Sequence, residues 1–167
     1  MEELKVKILN HIEKNCRIDL HDLAIILQVD EAQVLNALEE MKNDNIICGY
    51  HTLINWEKVG IEKAKAMIEV RVTPQRGMGF DTVAKRIYNY PEVDGLFLIS
   101  GGFDFMVIVE GKSLREIAEF VSSKLAPLEG VLSTKSNFIL KKYKDHGAIM
   151  TESKKDDRMK VSLWETL

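Results

Sequence analysis

The segment EVDGLFLISGGFDFMVIVE, Glu92 to Glu110, decides the fold. Its two apolar runs, LFLI at 96–99 and FMVIV at 105–109, flank Gly101-Gly102 and read as strands Val93 to Ser100 and Asp104 to Glu110 joined by a tight turn. Both runs are apolar without alternation, the pattern of strands covered on two faces. Upstream, AKAMIEVRV (Ala64 to Val72) sets Ala64, Ala66, Ile68, Val70 and Val72 on one side of a strand that Pro74 closes. Between these strands, Asp81 to Tyr90 carries Val83, Ala84, Ile87 and Tyr88 at helical spacing and stops before Pro91. Downstream, Ser113 caps a second helix with Glu116 in the capping-box position. Ile117, Ala118, Val121 and Leu125 face inward until Pro127, and Val131 to Tyr143 reads as a fourth strand.

The order β-α-β-β-α-β over about eighty residues is the ferredoxin-like split βαβ arrangement. Its two helices cover one sheet face only, so the apolar second face calls for a homodimer or higher oligomer that stacks two sheets.

Further upstream the period changes to that of helices. Leu4, Ile8, Leu9 and Ile12 share one face of a helix from about Glu2 to Asn15. Asp19, with Asp22 three residues on, predicts the capped start of a second helix with Leu20, Leu23, Ala24 and Leu27 on its apolar side. After a break at Gln28 and Val29, Asp30 with Gln33 caps a third helix whose buried stripe is Val34, Leu35, Leu38 and Met41, and Asn45 ends it in the left-handed conformation. Three short helices, the last two closely linked, match a helix-turn-helix unit. IICGYHTLIN, Ile46 to Asn55, is rich in β-branched and aromatic residues and reads as an extended strand, followed by a polar turn from Glu57 to Gly60. The class is therefore α+β. Residues 1–60 form the helix-turn-helix domain with its linker strand, 61–146 the ferredoxin-like domain, and 147–167 a C-terminal extension.

The 167 residues accommodate two such small modules, and 46% hydrophobic with 29% charged residues is a globular composition. No apolar run reaches the roughly 20 residues of a membrane span, and the N-terminus lacks a signal peptide's apolar centre, so we expect a cytoplasmic protein without membrane contact. Cys16 and Cys48 have no CxxC spacing, and His11, His21, His51 and His146 have no ligand spacing among them; neither a metal site nor a cofactor is implied.

Several segments together resemble the Lrp/AsnC family of feast/famine regulators, over residues 1 to about 144. They are Arg17 with Asp19-Leu23-Ala24, Asp30-Val34-Leu38-Met41, Ile46-Ile47 leading to Gly49-Tyr50, Val59-Gly60, Pro91-Glu92-Val93, Ser100-Gly101-Gly102-Phe103-Asp104 and Leu128-Glu129-Gly130-Val131. The resemblance implies a non-enzymatic transcription factor that binds double-stranded DNA through its helix-turn-helix and senses a small effector, an amino acid, through the second domain. The residues it singles out for DNA are Arg17, Gln33, Asn36 and Lys42, with Gln33 and Asn36 suited to an adenine edge. For the effector they are Gly101, Gly102 and Asp104, with Thr134 and Ser136 facing the same pocket. Adjacent glycines expose amides to a carboxylate, and Asp104 is suited to accept bonds from an ammonium. Ser133 stands where the family often has Arg.

The charges favour a second reading. Residues 1–60 hold six basic against eleven acidic side chains, and the third helix has Asn36, Ala37, Glu39 and Glu40 where the family usually carries Arg or Lys. An effector-sensing or oligomerising module with weak or no DNA binding fits that balance. A third reading is a siroheme decarboxylase of similar fold, which uses His and Arg near the linker strand; here the linker offers His51, with no Arg between Arg17 and Arg71. The tail carries a mixed-charge run from Lys154 to Lys160 and ends on Val161, Leu163, Trp164 and Leu167, an apolar finish suited to docking on a neighbouring subunit.

Overall fold

The computed structural model describes residues 2–73 and 79–151, so Pro74 and the expectations for Lys154 to Leu167 lie outside the described residues. The chain divides into two compact units, Met1–Leu53 and Ile54–Leu167.

The first unit is three helices, α1 (Glu2–Ile12), α2 (Leu20–Leu27) and α3 (Glu31–Asn43). Ile8 of α1, Leu23 and Ala24 of α2 and Val34, Ala37 and Met41 of α3 form one buried cluster, so each helix folds by burying its apolar stripe against the other two. Leu35, expected in that stripe, is instead 44% exposed, and Ala37 takes its place in the core. Asp19 caps α2 by accepting from the His21 amide at 2.8 Å, one residue earlier than the capping box with Asp22 would have it. Gln28 ends α2 at φ 57, and Asn45 adopts φ 55 just beyond α3. These left-handed residues make the turn between α2 and α3 and the exit from α3.

The expected linker strand is not a strand in this chain. Residues 46–55 carry no strand and no ladder hydrogen bonds, and no strand among the described residues pairs with them. The expected polar turn is a 3₁₀ helix, Trp56–Val59, which Gly60 ends at φ 75. This segment belongs to the second unit, so the division falls before Ile54 rather than after Gly60. Asn55 Nδ2 donates to the Met150 carbonyl at 2.8 Å, and Lys63 Nζ stacks 4.5 Å from the centre of the Trp56 ring.

The second unit is a four-stranded antiparallel sheet of β1 (Ala64–Val72), β2 (Val93–Leu98), β3 (Phe105–Gly111) and β4 (Val131–Phe138) in the order β2-β3-β1-β4. Helices α4 (Phe80–Tyr88) and α5 (Leu114–Phe120) connect them, giving the ferredoxin-like βαββαβ order; a wider turn, Val121–Leu125, extends α5. One sheet face is buried under the helices. Ala66, Ile68, Val70 and Val72 of β1 and Phe105, Val107 and Val109 of β3 pack there with Val83, Ile87, Ile117 and Leu125. The alternation read along β1 is thus the alternation of burial. On the opposite face Met67 and Phe97 are 37% and 56% exposed, beside the half-buried Met106 and Ile108.

Two strands are shorter than the spans expected for them, Val93 to Ser100 and Val131 to Tyr143. β2 ends at Leu98. β4 ends at Phe138, paired with Ala66, and one further bond, from the Ile139 amide to the Lys65 carbonyl at 2.9 Å, follows before the chain leaves the sheet. The chain goes on to a small hairpin, β5 (Lys144–Asp145) with β6 (Ala148–Ile149), turning at His146 (φ 43) and Gly147 (φ 82). Two consecutive positive φ values are those of the turn that matches strand twist, and glycine supplies one without strain. The hairpin delivers Met150 to Asn55, so the C-terminal extension begins with a structured element.

Candidate functional site

In the first unit the helix-turn-helix presents α3. Its buried residues Val34, Ala37 and Met41 define the inward side. At 3.6 residues per turn the outward line is then Ala32, Asn36, Glu39 and Asn43, all exposed. Of the expected DNA-contacting residues, Asn36 lies on this line, and Gln33 is turned roughly 60° from Asn36. Lys42 is turned roughly 120° the other way, and its ammonium sits 5.4 Å from the Tyr50 ring centre. Arg17 is exposed in the turn ahead of α2, its amide donating to Asn15 Oδ1.

Three of the charged or polar groups flanking that line are engaged inside the unit. Gln33 Oε1 accepts from the Asp30 amide at 3.2 Å, the reciprocal half of the α3 cap. A bidentate adenine contact would need that oxygen, so capping competes with base reading at Gln33. Glu40 is paired with Lys5 at 2.8 Å, a bond that raises the lysine's pKa. Ala37 is buried. Of the two adjacent carboxylates of α3, Glu39 is therefore the one on the outward line without an ion-pair partner among the described residues.

Glu31, in the first turn of α3, is the third engaged group: it meets His21 Nδ1 of α2 at 2.6 Å. That hydrogen bond, then the Glu31 charge with Asp22 and Asp19 behind it, holds the imidazolium above its usual range. A folded-state pKa above the unfolded one stabilises the helices below the ordinary histidine value and loses that contribution as pH rises through the folded value. We expect the chemical denaturation midpoint of the first unit to fall as pH rises from the ordinary histidine value through the raised folded-state value, and Glu31→Gln to flatten that fall. Equal slopes in parent and variant would show that the pair is not the cause.

In the second unit the loop from Ile99 to Asp104 is wider than a two-residue hairpin. The Ile99 amide donates to the Asp104 carbonyl at 2.7 Å, closing a four-residue turn over Ser100–Phe103. Gly101 and Gly102 both have negative φ. Nothing lies within 4 Å of a Cβ on Gly102, and one on Gly101 meets only Ile99 Cγ2 at 3.5 Å. Neither φ nor crowding inside the chain calls for these glycines. What they do is leave bare, exposed backbone open to close approach by another group.

Asp104 has a structural task the sequence did not disclose. Its Oδ2 accepts from the Val72 amide at 2.8 Å and its own amide donates to the Val70 carbonyl at 3.0 Å, stitching the loop to β1 where the β1–β4 register shifts. The expectation of a turn carboxylate reserved for an ammonium is corrected to that extent: one oxygen is already committed. Asp104→Ala leaves the Val72 amide unpaired at a part-buried position and is expected to destabilise the unit by about 1–3 kcal/mol. Urea unfolding measures this, and a loss below about 0.5 kcal/mol contradicts the stitch.

Arg71 is the residue that sequence reasoning missed. It is exposed on the uncovered face of β1, its Nε donates to the Gly102 carbonyl at 3.0 Å, and it stands opposite Ser133 on β4. Its terminal nitrogens meet no acceptor among the described residues. The neighbouring Glu69 is occupied by Lys135 at 3.1 Å and Asn137 at 3.0 Å, and those bonds, the lysine's first, lower its pKa. Thr134 and Ser136 do not join this group. They pair with Val70 and Ile68, whose side chains point under the helices, so they lie on the opposite face from Arg71. The cause is the bulge between Arg71 and Val72: Val72 faces Val131 while Arg71 faces Ser133, which reverses the parity of β4.

Among the described residues no cluster of His, Cys, Asp or Glu suits a metal ion, and no helix is long and apolar enough to cross a membrane.

A family model, the Lrp/AsnC ligand binding domain, matches residues 65–149. The uncharacterized HTH-type transcriptional regulator YugG of Bacillus subtilis is 40% identical over 163 residues, 97% of this chain and 98% of that protein. Among solved structures, the leucine response regulatory protein LrpA of Mycobacterium tuberculosis superposes with TM-score 0.74 at 17% identity, covering 90% of this chain and 100% of that one. A transcriptional regulator of Neisseria meningitidis, solved as its L-Met complex, superposes with TM-score 0.68 at 23% identity over 87% and 93% of the two chains. At these identities the two structures speak for the fold, and they share its helix-turn-helix and ferredoxin-like parts.

Proposed function

Because the chain belongs to the Lrp/AsnC family of transcriptional regulators, we propose that it is a homo-oligomeric DNA-binding regulator whose second domain, about residues 61–146, senses a small carboxylate-bearing effector such as an amino acid. The observation that carries this reading is Arg71 anchored on the Gly101-Gly102 loop with its terminal nitrogens unoccupied. A guanidinium held in place by its own Nε presents a preset fork to a carboxylate, and the bare loop amides beside it suit the same group. Gly101 and Gly102 keep the role expected of them. Asp104 contributes its second oxygen, and Ser133 takes the place of Thr134 and Ser136 as the hydroxyl on the Arg71 face. Met67, Phe97, Met106 and Ile108 on that uncovered face supply the apolar centre through which a second copy stacks.

The helix-turn-helix contacts duplex DNA with α3 in the major groove, Asn36 foremost, and with Arg17 and Lys42 towards phosphates. The test is affinity for random duplex DNA across a salt series. Log affinity that falls steeply with log salt supports phosphate contact; no binding at 50 mM salt overturns the DNA-binding part of the proposal.

One observation favours a module with weak DNA affinity. Of the six basic side chains in residues 1–60, Lys5 and Lys7 are already paired with Glu40 and Glu3. A shallow salt slope with intact effector binding is the result that selects it.

A further inference from the structure

Three polar groups flanking the outward line of α3 are spent inside the unit: Gln33 on the Asp30 amide, Glu40 on Lys5, Glu31 on His21. Asn36 and Glu39 are the exposed polar side chains on that line nearest the helix start. Neither has a hydrogen bond or ion pair among the described residues. Ala32 and the 44% exposed Leu35 lie beside them and bring methyl groups to the same surface.

A carboxylate at the centre of a DNA-facing helix is costly if it meets phosphates, because it opposes the charge that gives sequence-independent affinity. Of the two amino donors in the major groove, adenine N6 lies beside the N7 acceptor, which repels a second carboxylate oxygen, so the cytosine N4 amino group is the partner that a carboxylate reads best. Asn reads the adenine N6 and N7 edge, and methyl groups pack on thymine. Asn36 and Glu39 are three residues apart, about 4.5 Å along the helix axis, against about 3.4 Å between base pairs. They therefore suit neighbouring base pairs.

We propose that Glu39 is a specificity-determining residue that reads cytosine one base pair from an adenine read by Asn36, so that this acidic helix gains selectivity where it gives up general affinity. The inference rests on the proposed DNA binding and assigns α3 its sequence preference.

The experiment is selection of bound duplexes from a random pool by the full chain at low salt, for the parent, Glu39→Gln, Glu39→Ala and Asn36→Ala. The parent is expected to enrich cytosine at one position of each half-site by about tenfold over other bases, next to an adenine. Glutamine keeps the shape and adds a donor, so Glu39→Gln switches that position to adenine, while Glu39→Ala leaves it without preference. Asn36→Ala loses the adenine and retains the cytosine. Identical selected sites for the parent and Glu39→Ala overturn the inference. So does Glu39→Gln binding all sequences more tightly by a common factor, which marks the carboxylate as a repelling charge only. A parent that binds no duplex at all overturns the proposed DNA binding and this inference with it. Circular dichroism of each variant separates loss of fold from loss of reading.

Discussion

Replacing Arg71 by methionine is expected to weaken effector binding by about 2–5 kcal/mol, the scale for removing one partner of a close charge pair and leaving the other unpaired. Titration calorimetry against a panel of amino acids measures this, and at least one ligand of the parent should fall below detection in the variant. Methionine keeps the length and packing of the arginine stem, and Arg71 is exposed on the uncovered face, so the unfolding midpoint should move little. The bond lost within the chain is the one from Nε to the Gly102 carbonyl at 3.0 Å. A lysine at the same position restores charge without the planar fork and should recover only part of the affinity. Unchanged binding in Arg71→Met removes the guanidinium from the site and returns the search to the amides of Gly101 and Gly102.

The second large effect is on stability. Ile68 is fully buried at the centre of β1, between Val107 on β3 and Ser136 on β4, in the cluster that also holds Ile117 and Leu125. Ile68→Ala removes its apolar contacts and leaves a cavity in the most enclosed part of the sheet, at an expected cost of about 2–5 kcal/mol. The neighbouring Met67, on the other face and 37% exposed, is the control; Met67→Ala should cost a fraction of that in the monomeric unit. Urea denaturation at fixed protein concentration should show a lower midpoint with an unchanged slope, since an oligomer's stability shifts with concentration. If Met67→Ala proves the more damaging, that face is itself buried against another chain, and the two substitutions together map the interface.

Those two residues also show what the sequence could and could not disclose. Ile68 and Met67 were separable because β1 alternates cleanly, and one buried face enforces a period of two. Asp19 and Asp30 were legible as helix starts because capping needs an oxygen within two or three residues of the cap, which is local information. Arg71 was invisible as a site residue because its task depends on a carbonyl thirty-one positions away and on an opposing strand, neither of which its neighbours encode. Thr134 and Ser136 fell on the other face because one inserted residue in β4 reverses the alternation, and nothing in VLSTKSNF announces a bulge. The pairing of Glu40 is equally unreadable from its neighbours, because Lys5, its partner, belongs to another helix.

The hydrogen bond from Asn55 to Met150 acts on more than its two residues. It clasps residue 55, near the start of the second unit, to residue 150, 95 positions on, so the sheet and both its helices lie inside one non-covalent loop. A clasp that closes a long loop restrains both ends of what it encloses. The β5–β6 hairpin is therefore a latch on the sheet it follows: releasing Met150 should let the first and last segments of the unit fray together and leave the β1–β3 centre of the sheet as it was.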